Sequence, residues 1–133
     1  MPKLIYALIC SDLIIDKDSS STSFIRTIEH AVVPDLPATL PPVFFASLWD
    51  LEDNAEAPFS VSLAMTTPTG ETLTIGAQEI KPAGTVLHKM NFQVPGLRVE
   101  DEGKHILSVS LKDGDSWETK AELPLFVFKN VTQ

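Results

Sequence analysis

Hydrophobic and polar residues alternate with a period of two along most of this chain. Phe59, Val61, Leu63 and Met65 fall on one side of an extended segment and Ser60, Ser62 and Ala64 on the other; Leu107, Val109 and Leu111 oppose Ser108 and Ser110. That period belongs to a strand with one buried face. Helical spacing is nowhere sustained for the ~11 residues of a typical helix, and ten prolines punctuate the segments. The pattern predicts strands over 4–15, 22–33, 43–51, 59–67, 71–80, 86–94, 104–112 and 117–128, each rich in β-branched and aromatic residues and bounded by Pro, Gly, Asp or Ser.

Turn chemistry joins these segments into hairpins. "TPTGE" (67–71) sets a proline early and Gly70 late in a tight turn, and "KDGDSW" (112–117) carries an Asp-Gly pair between two alternating runs. The longer connections "PDLPATLPP" (34–42) and "PGLRVEDEG" (95–103) read as crossings between sheets. The expectation is an all-β chain forming one antiparallel β-sandwich of about eight strands over residues 1–133. Its core should hold Leu4, Tyr6, Leu8, Phe24, Ile28, Phe45, Trp49, Phe59, Val61, Leu63, Phe92, Val109, Leu111, Leu123 and Leu125.

The two terminal strands depart from one-faced patterning. In the first, Leu4, Tyr6, Leu8 and Cys10 alternate with Ile5, Ala7 and Ile9; in the last, Leu123, Leu125 and Val127 alternate with Phe126 and Phe128. An outer strand of a sandwich needs only one apolar face. The surplus must be covered by the other terminal strand, by the proline-rich loops or by a second copy of the chain, because soluble monomers rarely leave large apolar patches in water. Ile5, Ile9, Phe126 and Phe128 are therefore the candidate interface residues of a homodimer.

The stretch "KLIYALICSDLIIDK" (3–17) is also tested as a targeting signal. Its apolar run, Leu4 to Cys10, has one basic residue ahead of it and is closed by Ser11-Asp12, which is short for a secretory core of about 7–15 apolar residues. The bulky Ile9 before Cys10 does not suit a lipid-anchor box, and no run approaches the ~18 apolar residues of a membrane span. The chain is read as soluble and, by default, cytoplasmic. A net charge of −8 opposes binding to nucleic acid or anionic membranes, which need a positive patch. One cysteine permits no internal disulfide.

Few residues suggest chemistry. His30, His88 and His105 lie in separate strands without zinc-ligand spacing. Cys10 sits in a strand as a small hydrophobe, with nothing beside it to lower its pKa. The carboxylates are better placed: if the strands run up and down, one end of the fold collects Asp16, Asp18, Asp50, Glu52, Asp53, Glu56, Asp113 and Asp115. Of these, Asp16, Asp18, Asp50, Asp53, Asp113 and Asp115 are the calcium candidates, since hard oxygen ligands on flexible loops suit that ion, as on C2 domains. "DKDSS" and "DGDS" lack the spacing of a dedicated calcium loop, so solvated turns are the plainer account and no metal or cofactor is expected.

One motif sharpens the class. "DEGKH" (101–105), followed by "ILSVSL", resembles the Asp-x-Gly-x-Tyr corner of immunoglobulin-like sandwiches, with His105 at the tyrosine position and Gly103 in the turn. More broadly, "ALICSDLIIDKDSSSTSFIRTIEHAVVPDLPATLPPVFFASLWDLE" (7–52) followed by "TPTGETL" (67–73) is similar to a family of small bacterial β-sandwich proteins of unknown function. The resemblance implies a fold and a bacterial source, and no activity. The functional expectation is a non-enzymatic interaction or structural module with a protein partner; the alternative is a calcium or small-ligand domain using the acidic loops.

Overall fold

The computed structural model describes residues 2–52 and 56–130. Among them are eleven strands and no helix: β1 (Lys3–Ile15), β2 (Thr22–Thr27), β3 (His30–Val33), β4 (Ala38–Thr39), β5 (Val43–Asp50), β6 (Phe59–Thr66), β7 (Thr72–Ile80), β8 (Leu87–Val94), β9 (Arg98–Val99), β10 (Gly103–Asp113) and β11 (Ser116–Lys129). One sheet has the order β2-β1-β5-β8, a second β3-β11-β10-β6-β7, and β4 pairs with β9 alone. The two larger sheets share one core, to which Ile9, Phe45, Trp49 and Met90 contribute from the first and Val61, Leu63, Leu107, Val109, Leu111 and Leu125 from the second.

The expected strand over 22–33 is two strands in different sheets. The hand-over takes place at Ile28-Glu29: the Ile28 N–H donates to Ile9 of β1 (2.8 Å), and the Glu29 carbonyl accepts from Phe126 of β11 (2.9 Å). The second sheet is consequently mixed, because β3 runs parallel to β11. Pro124 fits the interior of β11 because β3 begins only opposite Phe126, so no neighbour asks for an N–H there. The two proline-rich crossings hold each other through β4 and β9. Gly96 lies at their closest approach: a Cβ there would stand 2.6 Å from the Leu40 carbonyl oxygen and 2.8 Å from Thr39 Cγ2, so only glycine fits.

A one-residue bulge corrects the reading of β1. Leu4 pairs with Trp49 and Tyr6 with Leu48, leaving Ile5 as the extra residue. Beyond the bulge the faces exchange, so Ala7 and Ile9 join Leu4 toward the core while Tyr6, Leu8 and Cys10 turn outward. Tyr6, Leu8 and Phe24 are half-buried and lie outside the inter-sheet core. Cys10, fully buried, also lies outside it.

The outward apolar face of β1 is covered from within the chain. Phe24 is in register with Leu13, seven residues beyond Tyr6, or about 23 Å along a straight strand. Yet the Tyr6 and Phe24 rings meet edge to face with centroids 5.7 Å apart. The far half of the β1–β2 hairpin is thus folded back across the sheet, with Arg26 in a left-handed conformation (φ 56°) beside the fold. Lys89 of β8, in the row Tyr6–Leu48–Lys89, fastens the hairpin tip by donating to the Ser20 carbonyl and to Thr22 Oγ1. Among the described residues no helix is long and apolar enough to cross a membrane.

Candidate functional site

The acidic loops are held by their own backbones. Asp16 Oδ1 accepts the N–H groups of Asp18 (2.8 Å) and Ser19 (3.1 Å), and these bonds hold the Asp16 carboxyl below its usual pKa. Asp50 Oδ1 accepts from the Glu52 N–H (2.9 Å). The Asp113 carbonyl receives the Ser116 hydroxyl across the β10–β11 turn, where Gly114 takes a positive φ. Asp18, Asp113, Asp115 and Glu56 are exposed, and Asp53 lies outside the described residues. No group of three or more His, Cys, Asp or Glu among the described residues is arranged to hold a metal ion. Calcium at millimolar concentration is accordingly expected to leave the melting temperature unchanged, since only a ligand that binds the native state raises it. A rise of several degrees that disappears in Asp113→Asn/Asp115→Asn would reverse this.

The apolar candidates separate. Ile9 is buried (4%) between the sheets and is withdrawn as an interface residue, for the bulge turns it inward; Ile5, the bulge residue itself, is half exposed (50%). On the last strand Leu125 and Val127 face the core, while Phe126 (38%) and Phe128 (48%) face solvent with their rings stacked at 6.3 Å. Val32 of β3 is in register with Phe128 and more exposed still (59%), extending the same face to the free edge of the sheet. The parallel ladder uses the carbonyls of Glu29 and Val33. By strand alternation, His30 and Val32 therefore turn their N–H and C=O away from β11. The sequence carries no mark for Val32, because "HAVV" reads as an ordinary buried run.

The three histidines stay apart. His30 is exposed on β3, and His88 meets the Phe59 ring edge-on (centroids 6.1 Å). His105 is buried (1%) at the start of β10. Its Nδ1 lies 3.2 Å from the Gly103 carbonyl oxygen, a two-residue version of the corner bond that a tyrosine makes farther upstream. Gly103 takes φ +124°, and a Cβ there would touch Pro68 of the β6–β7 turn at 3.3–3.4 Å, so glycine lets the two turns close together. Between them lies a polar cleft of about 450 Å³ lined by Thr67, Thr69, Glu71, Leu73, Arg98, Glu100, Asp101 and His105. The sequence marks "DEGKH" as a corner with His105 at the tyrosine position but not the cleft, which brings together two stretches distant in sequence, 67–73 and 98–105.

A second, apolar groove of about 250 Å³ opens where the free edges β7 and β8 diverge, over Val61, Leu63, Ile75, Met90 and Phe92. Burial pushes the Cys10 thiol above its usual pKa, so the only cysteine is poorly suited to nucleophilic work. No family model and no curated protein matches the chain.

Proposed function

We propose that the chain is a non-catalytic interaction module, an immunoglobulin-like sandwich that pairs with a second copy of itself through the face and edge formed by β11 and β3. The observation that carries this reading is the solvent-facing stack of Phe126 and Phe128, continued by Val32 to a strand edge whose outward backbone groups have no strand partner among the described residues. A free edge bearing apolar residues is a template for further pairing. Antiparallel apposition of two β3 strands about a two-fold axis would pair the outward groups of His30 with those of Val32 in the partner. Such an isologous contact closes on itself and stops at a dimer. The buried, poorly ionised Cys10 and the separated histidines support a role without catalysis.

Sedimentation at micromolar concentration tests the proposal. Wild type is expected to run as a dimer. Phe126→Glu, Phe128→Glu and the edge variant Val32→Lys are each expected to run as monomers with an unchanged β-type circular dichroism spectrum. A wild-type monomer at all concentrations up to the solubility limit overturns the proposal, as does a dimer that all three variants retain.

A further inference from the structure

We infer that the cleft between the β6–β7 turn and the loop joining β9 to β10 is a binding site for a primary ammonium group on an aliphatic stem, with Nε2 of His105 as the acceptor at its floor. The inference is independent of the β3–β11 face. Every fully buried side-chain nitrogen or oxygen among the described residues has a hydrogen-bond partner. Nε2 of His105 makes no hydrogen bond within the described chain, whereas Nδ1 bonds to Gly103. The sliver of surface that His105 keeps therefore includes Nε2, and the residue lines the cleft. A carbonyl oxygen only accepts, so the proton of a neutral imidazole sits on Nδ1 and Nε2 presents a lone pair. The lone pair is thus reached only from the cleft, on a side chain whose other nitrogen is already bonded and whose ring is otherwise enclosed, so a donor entering the cleft meets it at the floor.

The charge of the rim says which donor. Three carboxylates, Glu71, Glu100 and Asp101, stand around the opening against one guanidinium, Arg98, which is already engaged with Glu100 at 3.5 Å. A cation is favoured and an anion repelled. Guanidinium groups prefer the planar fork of a carboxylate, while an ammonium is a compact charge with three rotatable donors, better matched to a lone acceptor at a narrow floor. Leu73, half exposed on the wall, offers apolar surface for the methylenes behind the charge. A cleft of about 450 Å³ accommodates a lysine-length chain. The absence of a three-ligand set among the described residues argues against a metal ion as the occupant.

The lysine side chain of a protein and a free polyamine share this chemistry, and the test distinguishes them. The full chain, ¹⁵N-labelled, is titrated with Nα-acetyl-lysine methylamide, spermidine and 1-butanol while the imidazole nitrogens and backbone amides are followed by NMR. At least one ammonium probe should saturably shift His105 Nε2 together with residues 67–73 and 98–101, and butanol should not. Response to the lysine derivative alone assigns a protein lysine; response to spermidine alone assigns a polyamine. His105→Phe, which keeps a ring but removes the acceptor, should weaken binding about tenfold or more. Should that variant fail to fold, the exposed pair Glu100→Gln/Asp101→Asn serves instead, with a weakening of about threefold to tenfold. Shifts scattered over the acidic surface without saturation, or an affinity unchanged in the folded variant, would overturn the assignment.

Discussion

Trp49→Ala is expected to lower the unfolding free energy by about 3–5 kcal/mol, a large share of the about 5–15 kcal/mol typical of a domain. Trp49 has no solvent exposure, lies across the ladder from Leu4 and packs against Phe59 of the opposite sheet with ring centroids 5.7 Å apart. Its removal opens a cavity at the place where the two sheets meet. It also breaks a short polar chain: the indole Nε1 donates to Ser47 Oγ (3.0 Å), and the Ser47 hydroxyl donates to the Met90 carbonyl (3.3 Å). Ser47 is itself fully buried in β5, so this relay is what lets a hydroxyl face the core at no net cost. Trp49→Phe keeps most of the volume and loses the donor, and should cost distinctly less than alanine. Urea unfolding with an unchanged m-value reads both numbers. A loss below about 1 kcal/mol for Trp49→Ala would mean that the sheets close over the gap and that the indole is no keystone.

Much of this architecture was legible because most strands announce themselves twice, by alternation and by turn residues. The segments read at 43–51, 59–67, 71–80 and 86–94 match β5 to β8 to within one residue at each boundary; β6 and β8 each carry one apolar face, and the turn at 67–71 marks where β7 begins. Three features escaped. The sheet change at Ile28-Glu29 depends on hydrogen bonds to Ile9 and Phe126, remote in sequence, and leaves no local mark. The bulge at Ile5 exchanges the faces of β1 in a strand whose faces are equally apolar, and such a strand specifies its register only weakly. The β4–β9 pair is two residues long and forms because the crossings meet, not because "AT" or "RV" favours a ladder. The same division holds for the sites. Phe126 and Phe128 stood out as large apolar residues on the wrong face of a regular strand, whereas the His105 cleft exists only once the β6–β7 turn rests on Gly103.

The folded-back hairpin carries the last expectation, which Cys10 reports. The thiol is fully buried, yet it belongs to the outward face of its sheet, among Tyr6, Leu8 and the β5 residues Phe44 and Ala46. It ends the unfolded-back part of β1, where its pKa is influenced by the backbones of Asp12 and Ile25 on the hairpin. What hides it from solvent is therefore the hairpin, held by the Tyr6–Phe24 contact and by Lys89 on Ser20 and Thr22. A hairpin is a small cooperative unit, able to open with far less free energy than the two-sheet core. In native protein, a thiol reagent should modify Cys10 at least about a hundredfold more slowly than in urea-unfolded protein, because attack awaits opening and burial disfavours the thiolate. Phe24→Asp places a charge against Tyr6 and should raise the native rate about tenfold or more while leaving far-ultraviolet circular dichroism in place. Lys89→Ala should act in the same direction and less strongly, as it removes only the tether at the tip. A native rate equal to the unfolded one, or one that neither variant changes, would show that Cys10 is guarded by the body of the sheet and that the hairpin covers nothing of consequence.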